Sequence, residues 1–375
     1  MSSMQSQKIR QCDQLSQVRL GHSFAWGSTG RNIRLYTPKS IPVANVESIQ
    51  GVRQEVIDAI SKAASNCLTD TDVGQGIKRV GKVRDTYDLG DKVVIVTTDR
   101  QSAFDRLLAS IPFKGQVLNQ TSAWWMNHTT HIVKNALLST PDPNISIMKK
   151  CIVFPVEFVC RGFMTGSTDT SLWTHYKDGE REYCGNTFPD GMRKNDRLAV
   201  NVITPTTKSE DHDVPISPSE IVKQGLMSQE DWDMVSKAAL DLFNFGQEQA
   251  AKRGLLLVDT KYEFGKAPDG EIYLIDEIHT PDSSRYWIAD TYEKRHAAGQ
   301  EPENIDKEFL RLWFRSVCDP YKDEVLPAAP LELVCELSKR YVYLYEKITG
   351  EQFQIPPLHE PVNQRMKQNL ATVNS

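Results

Sequence analysis

The sequence has little cysteine and no long apolar stretch, and both absences narrow the class of protein. Its 7 cysteines are scattered, and none belongs to a C-x-x-C pair. We therefore expect reduced thiols in a reducing compartment, with neither a disulfide framework nor a zinc site. No run reaches the roughly 18 apolar residues that a membrane-spanning helix needs, so we expect a soluble protein without a membrane partner.

An excess of positive charge is also absent. The chain carries 44 Lys and Arg against 49 Asp and Glu, a net charge of -5 at pH 7. Such a balance creates no general attraction for nucleic acid, so no nucleic-acid partner is expected and anionic substrates need local basic pockets. At 375 residues, of which 39% are hydrophobic, the chain is long enough for two lobes with a sizeable core.

Acidic residues are nearly missing from the first 45 positions, where Asp13 is the one acid among several Lys and Arg, with many Ser and Gln. This composition is typical of an organelle transit peptide, and the absence of an apolar core segment argues against a secretory signal. A disordered cytosolic tail is the alternative.

Charged residues are concentrated instead in an apolar stretch from Gly254 to Trp287. Its sequence predicts a strand over 255–264, a turn at Ala267-Pro268-Asp269-Gly270 and a second strand over 271–278. Side chains alternate along a strand, so Asp259, Lys261 and Glu263 share one face. The stretch is therefore predicted to be an antiparallel hairpin with one charged face.

A four-residue turn pairs Lys261 with Asp276, which places Asp276 beside Lys261 and Glu263. Two carboxylates and an ammonium group at one place suggest a magnesium-nucleotide centre, because hard cations take oxygen ligands and phosphates take lysine. A solvated face with ordinary ion pairs is the alternative.

A second hairpin is predicted near the start of the fold, with strands over 80–87 and 93–98 and a turn at Gly90-Asp91. Lys82 and Arg84 are two positions apart, so we expect both on one strand face, where they suit the phosphates of ATP. The segment is not a Walker loop.

Two further segments are candidates for anion or substrate binding. The strand over 151–161 leads from Arg161 into small residues ending at Ser167, which favours an anion-binding turn; an ordinary loop with an arginine ion pair is the alternative. Residues 176–217 are rich in Gly, Pro, Asn and Asp, which is typical of a binding loop, and they include Lys208, Asp211 and Asp213.

Helices are predicted over 46–66, 229–252, 307–317 and 331–348, and the residues after Pro356 read as frayed and polar. A sheet-rich first part followed by strands and helices predicts an α+β, two-lobed enzyme.

Five motifs in order then make the chain resemble the SAICAR synthetase family. They are GKVRD at 81–85, TDRQSAFD at 98–105, RGFMTGS at 161–167, LVDTKYEFG at 257–265 and DEIHTPDSSR at 276–285. The resemblance covers residues 67–356, and the long form with a basic N-terminal extension is most similar to plant enzymes. It implies a plastid location, with the cytoplasm as the alternative.

The resemblance implies an ATP-dependent ligase that joins L-aspartate to the carboxylate of 5-amino-1-(5-phosphoribosyl)imidazole-4-carboxylate (CAIR) in purine synthesis. It implies that Glu263 and Asp276 hold Mg²⁺, that Lys261 acts with them in catalysis, and that Lys82, Arg84 and Lys261 bind the nucleotide. The residues implied in substrate binding are Arg161, Ser167, Lys208, Asp211, Asp213, Asp282 and Arg285.

The implied fold has a first lobe similar to the nucleotide lobe of protein kinases, and the expected domain ranges follow from it. They are a transit peptide at 1–45, an extension with a helix at 46–76, a β-rich nucleotide lobe at 77–155, a substrate- and metal-binding α+β lobe at 156–290, C-terminal helices at 291–356 and a polar tail at 357–375.

A kinase-like phosphotransferase and a non-catalytic nucleotide-binding protein are the alternatives. No H-R-D catalytic loop is present, which argues against a kinase. Every acid and base that the ligase chemistry needs is present, which argues against a dead site.

Overall fold

A computed structural model describes residues 48–208 and 214–372, which form an α+β fold with antiparallel sheets. The strands are β1 Ile77–Val80, β2 Arg84–Asp88, β3 Lys92–Thr97, β4 Arg100–Ala103, β5 Arg106–Ser110, β6 Leu137–Asp142, β7 Ile145–Lys149, β8 Ile152–Val153, β9 Val156–Phe163, β10 Glu182–Tyr183, β11 Asn186–Thr187, β12 Arg197–Ile203, β13 Thr206–Thr207, β14 Val214–Pro215, β15 Leu255–Lys266, β16 Ile272–Ile275 and β17 Ser284–Ile288. The helices are α1 Gln54–Ala63, α2 Lys114–His128, α3 Leu172–Lys177, α4 Pro218–Lys223, α5 Gln229–Ala251, α6 Ala289–Ala297, α7 Glu308–Val317, α8 Leu331–Thr349 and α9 Val362–Ala371.

The first sheet has five antiparallel strands in the order β1-β2-β3-β7-β6. The predicted turn at Gly90-Asp91 is confirmed, because the Leu89 amide donates to the Lys92 carbonyl at 3.0 Å between β2 and β3. The single strand predicted over 80–87 is wrong, since a tight turn after Gly81 separates β1 from β2.

Glycine is required at position 81 because a Cβ there would lie 2.5 Å from the Arg84 carbonyl oxygen. The turn that follows puts Lys82 outside either strand, whereas Arg84 begins β2. The prediction that Lys82 and Arg84 share one strand face is therefore wrong.

Strand β15 is the centre of the second, eight-stranded sheet. It pairs with β9, β16, β17 and β8, all antiparallel. Its apolar side chains, including Tyr262 and Phe264, are buried in the largest core cluster with residues of α5. Because side chains alternate, the charged residues of β15 are directed to the opposite face of the sheet.

The register of the central hairpin differs from the predicted one by a single residue. The structure pairs Glu263 with Ile275 and Lys266 with Ile272, so Lys261 does not lie opposite Asp276. A one-residue shift normally moves a side chain to the other face of a sheet. Here β16 ends at Ile275, so Asp276 lies outside the strand, and its positive φ of 66° turns the chain there. The alternation of side chains between the two faces therefore does not apply to Asp276.

Helices α2, α7 and α8 form a second core with α1. The helix predicted over 331–348 is confirmed as α8, in which Leu337, Tyr341 and Leu344 are fully buried. Helix α1 is shorter than the predicted 46–66 segment. No helix of the described residues is long and apolar enough to cross a membrane.

The frayed tail predicted after Pro356 is wrong, because residues Val362–Ala371 form α9 against the first sheet. Met366 and Leu370 are buried there. Arg365 donates to both carboxylate oxygens of Asp142, from Nε at 2.9 Å and from Nη2 at 3.0 Å. The polar composition of this segment reflects one ion-paired face of a packed helix.

Candidate functional site

A cavity of about 620 Å³ lies where the first sheet meets the charged face of β15. Its wall comes from the turn after β1, from β9 and β15, and from the segment between β16 and α7. It brings together most of the predicted site residues, namely Lys82, Arg84, Arg161, Lys208, Lys261, Glu263, Asp276, Asp282 and Arg285. Ser167 is buried outside this lining, and Asp211 and Asp213 lie outside the described residues.

Lys261 lies at the centre of an acidic group at one end of the cavity. Its Nζ donates to Glu263, lies 3.1 Å from Glu157 Oε1 and approaches Asp276 Oδ2 to 3.6 Å. Burial alone would lower the pKa of Lys261, but these three carboxylates raise it well above its usual value. The ammonium group is therefore charged across the whole neutral range.

Glu263 accepts hydrogen bonds from Lys261 and from Lys208. Burial opposes its ionisation, but the two lysines hold the pKa of this carboxyl far below its usual range. The loop residue Lys208 is thus brought to the centre of the hairpin, which sequence spacing does not predict.

The pKa of Asp276 shifts in the opposite direction, although this residue is close to Glu263. Burial raises its pKa, Glu263 and Glu277 raise it further, and Arg84 and Lys261 lower it. Three carboxylates at this end, those of Glu263, Asp276 and Glu277, therefore repel one another in a small volume. Added positive charge would be stabilised here.

Arg84 joins the first sheet to this acidic group. Its Nη2 donates to Asp276 Oδ2 and to Glu277 Oε1, each at 2.9 Å. Lys82 instead lies at the rim, where its Nζ contacts Asp105 Oδ1 at 2.5 Å. Both line the cavity, but of the two only Arg84 reaches the acids that follow β16.

The other end of the cavity has two arginines on the strands that flank β15. Asp259 of β15 pairs in register with Arg161 of β9 and with Arg285 of β17. Arg285 donates to Asp259 through Nη1 and to Glu308 Oε2 at 3.3 Å through Nη2. Arg161 donates to Thr204 Oγ1 at 2.7 Å and lies 3.8 Å from Asp259.

Asp282 is held by the protein itself. Its carboxylate lies 2.9 Å from Lys114 Nζ and accepts a hydrogen bond from Tyr341 at 2.7 Å. Burial opposes its ionisation, but Lys114 and then Lys307 lower its pKa to about 2. These contacts tie the segment after β16 to α2 and α8.

Sequence reasoning missed several charged residues that line the cavity, among them Glu157, Glu277, Asp306, Lys307 and Arg311, and it missed Lys114, which contacts Asp282. Glu157 interrupts the apolar run of β9, and Glu277 directly follows Asp276, so both had a signal in the sequence. Lys307 and Arg311 had none, because charged residues at the start of a helix are common on exposed faces.

No group of three or more His, Cys, Asp or Glu suited to a metal ion is found among the described residues. Mg²⁺ in nucleotide sites usually takes one or two carboxylates, with water and phosphate oxygens as its other ligands. Glu263 and Asp276, both within reach of one lysine ammonium, fit that donor set.

The chain has clear relatives. A family model described as SAICAR synthetase matches residues 78–328. The chloroplastic phosphoribosylaminoimidazole-succinocarboxamide synthase of Arabidopsis thaliana is 61% identical over 322 residues, covering 84% of this chain and 78% of the relative. The synthase of Legionella pneumophila strain Lens is 63% identical over 304 residues, covering 81% of this chain and 97% of the relative.

The fold is similar to solved structures as well. The SAICAR synthase of Saccharomyces cerevisiae, described as complexed with SAICAR, superimposes with a TM-score of 0.65 and 27% identity. The superposition covers 76% of this chain and 99% of that structure.

Proposed function

Because the chain belongs to the SAICAR synthetase family, we propose that its cavity holds ATP with Mg²⁺ at the Lys261 end and CAIR at the Arg161 and Arg285 end. The protein is an ATP-dependent ligase that joins L-aspartate to CAIR in purine biosynthesis. Its own residues contribute by binding the substrates, orienting them and stabilising the charge that develops between them.

The nucleotide end is supported by the charges around Lys261. Lys261 and Arg84 supply positive charge for phosphate oxygens, and Lys82 at the rim supplies more. Glu263 and Asp276 would hold the Mg²⁺, which when bound neutralises charge on the transferred phosphoryl group. In this structure Arg84 contacts the carboxylate of Asp276, and Lys261 contacts that of Glu263.

The ribotide end is supported by the two arginines and by the residues that orient them. Guanidinium groups bind phosphate in a forked geometry. The side chains of Arg161 and Arg285 are both buried among fixed partners. Asp259 lies between Arg161 and Arg285 and keeps them on one face of the sheet. Asp282 and Lys208 also line the cavity, Lys208 at the other end, where it contacts Glu263.

The chemical order is dictated by the substrates. A carboxylate is a poor electrophile, because an amine cannot expel oxide from it. One CAIR carboxylate oxygen therefore attacks the γ-phosphorus of ATP, and the bond from that phosphorus to the bridging oxygen of ADP breaks. The aspartate amine then attacks the acyl phosphate, and the C–O bond to phosphate breaks as the amide forms and the amine loses its proton.

The residues of the cavity position these groups and stabilise their charge, which is most of what phosphoryl transfer requires from a protein. A covalent acyl-enzyme is not supported, since no cysteine or serine of the sequence belongs to a nucleophile-elbow motif. The observation that carries the proposal is the contact of one lysine, Lys261, with both Glu263 and Asp276.

Heavy-oxygen labelling tests the acyl phosphate. CAIR labelled in its carboxylate should transfer one labelled oxygen to inorganic phosphate in each turnover. Label found only in the amide product and in water would contradict this mechanism and leave the ligase activity unaffected.

The location of the protein is proposed from its first residues and its relatives. Residues 1–45 are basic and contain one acid, and their structure lies outside the described residues. The Arabidopsis thaliana and Vigna aconitifolia relatives are named chloroplastic. The basic composition of residues 1–45 and the names of these two relatives support a plastid protein with a transit peptide.

A further inference from the structure

One buried histidine behind the cavity has no role in the arrangement described so far. His279 is fully buried and does not line the cavity, although it lies three residues after Asp276 in the segment between β16 and β17. Its φ is 53°, a left-handed conformation that residues with a side chain rarely adopt. A polar ring at such a position inside the core is costly, so its contacts need an explanation.

The imidazole is enclosed by three elements of the fold. Its Nε2 is hydrogen-bonded to the hydroxyl of Tyr262 in β15. The ring of Trp125 in α2 packs edge-on against it, with the ring centroids 4.6 Å apart. In α5, a Cβ at Gly246 would lie 2.4 Å from His279 Cε1, so glycine is needed there to leave room for the ring. These contacts hold the imidazole in one position.

Tyr262 connects this histidine to the strand at the centre of the second sheet. Its neighbour in β15, Glu263, lines the cavity, whereas Tyr262 is directed to the core. Asp276 is not held by strand pairing, because β16 ends one residue before it. The bond between Tyr262 and the histidine therefore joins, behind the sheet, the strand that carries Glu263 to the segment that carries Asp276.

The same segment has two further anchors to the core. The Ile278 amide donates to Ser122 Oγ of α2 at 3.2 Å. The Tyr286 hydroxyl of β17 donates to the His279 carbonyl at 2.8 Å. Both anchors use main-chain atoms, which other residues at these positions would also supply. The bond to Tyr262 depends on the histidine side chain, whose Nδ1 has no hydrogen-bond partner among the described residues.

This histidine can contribute position but not charge. Burial lowers the pKa of His279 to about 3, so its ring is neutral in the neutral pH range. A neutral imidazole does not offset the repulsion between the carboxylates of Glu263 and Asp276. It can fix where their segments lie, and a metal site requires its ligands to be held close to their productive geometry by the residues behind them.

We propose that His279 is a positioning residue for the proposed Mg²⁺ site. Held by Tyr262, it fixes the separation of the Glu263 and Asp276 carboxylates. This inference rests on the proposed function, in which these two carboxylates hold the metal. Neither His279 nor Tyr262 lines the cavity, so both act through the acids that they position.

The test measures Mg²⁺ binding to the ADP-bound enzyme by isothermal titration calorimetry, together with the Mg²⁺ dependence of kcat. Tyr262→Phe removes only the hydroxyl, and His279→Leu removes the hydrogen bond but keeps an apolar side chain. Each should weaken Mg²⁺ binding roughly three- to tenfold, because one buried hydrogen bond is lost, while the KM values for CAIR and aspartate stay the same. His279→Gln, whose amide can reach the Tyr262 hydroxyl, should recover part of the loss.

Tyr292→Phe is the matched control. It removes a buried tyrosine hydroxyl that donates to the Asn195 carbonyl at 2.7 Å, and neither residue lines the cavity. It should lower the thermal stability as Tyr262→Phe does but leave Mg²⁺ binding unchanged. The double variant of Tyr262→Phe with His279→Leu should lose no more Mg²⁺ affinity than either single variant, because both changes remove the same bond.

Wild-type Mg²⁺ affinity in folded Tyr262→Phe enzyme overturns the inference. Additive losses in the double variant, or an equal rise in the KM values of all three substrates, overturn it as well.

Failure of the proposed function is distinguishable from failure of this inference. If the wild type did not form SAICAR from ATP, CAIR and aspartate, the proposed function would be wrong. If Glu263→Gln and Asp276→Asn left Mg²⁺ binding unchanged, the metal assignment, and this inference with it, would be wrong. If those two variants weaken Mg²⁺ binding but Tyr262→Phe and His279→Leu do not, only the positioning role is contradicted.

Discussion

Glu263 and Asp276 are neighbours at the Lys261 end of the cavity, but the pKa values of their carboxyl groups shift in opposite directions. Two lysines hold Glu263 ionised, whereas burial and like charge raise the pKa of Asp276. Removing either charge takes away a proposed ligand of Mg²⁺ without removing packing volume. This makes isosteric amides the appropriate substitutions.

We expect Glu263→Gln and Asp276→Asn each to lower kcat by on the order of 100-fold, because charge that develops on phosphate is then less neutralised. Both variants should fold. Steady-state kinetics over a magnesium titration measures this, with Glu271→Gln, an exposed residue of the same hairpin region, as control. Near wild-type turnover at limiting magnesium would show that the residue is not a ligand.

Arg161 and Arg285 lead to a different expectation. Arg285→Ala and Arg161→Ala should each weaken CAIR binding by about 1.5 to 3 kcal/mol, or one to two decades, because a buried phosphate loses a charge-assisted partner. Separate KM values for the three substrates measure the effect, and Arg193→Ala, an exposed arginine, is the control. Equal weakening of all three substrates would indicate collapse of the site.

At the scale of elements, β15 and α9 determine where the residues of the cavity lie. Strand β15 lies between β9 and β17, so one strand presents Asp259 to two arginines and Lys261 to the acidic group. Helix α9 packs on the first sheet, which carries Arg84, through a buried ion pair of Arg365 with Asp142. The C-terminal helix thereby supports the sheet that carries Arg84 to the Lys261 end of the cavity.

We expect Arg365→Ala to lower the free energy of unfolding by about 3 to 5 kcal/mol, because it leaves Asp142 charged, buried and without its main partner. Lys367→Ala, on the same helix, removes an exposed ion pair with Asp72 and should have a much smaller effect. Urea unfolding of both variants measures the difference. A similarly small loss in both variants would mean that the Arg365–Asp142 pair contributes little to stability.

At the scale of the whole molecule, the cavity needs both sheets, since Arg84 comes from the first and the two acids that it binds directly follow β16 of the second. The matched family region begins at residue 78, well after the basic segment at the start of the chain. Catalysis and location are therefore expected to reside in separate parts of the chain.

Deletion of residues 1–45 should leave kcat and all KM values unchanged, because this segment lacks the periodicity of a core element. A fluorescent protein fused to residues 1–45 alone should enter plastids, and imaging of plant cells measures this. A fusion that stays in the cytosol would contradict the transit peptide and leave the enzyme assignment untouched.

The sequence by itself determined the family, the α+β class and the charged face of Asp259, Lys261 and Glu263, because strand alternation is a local property of the backbone. Only the tertiary structure decided how Asp276 and Arg84 meet, since that depends on a one-residue register, a left-handed turn and the contact of two sheets. It also decided that Lys307 and Arg311 face the cavity and that the polar C-terminal segment is a packed helix. These contacts join residues far apart in the chain, and local periodicity carries no information about such partners.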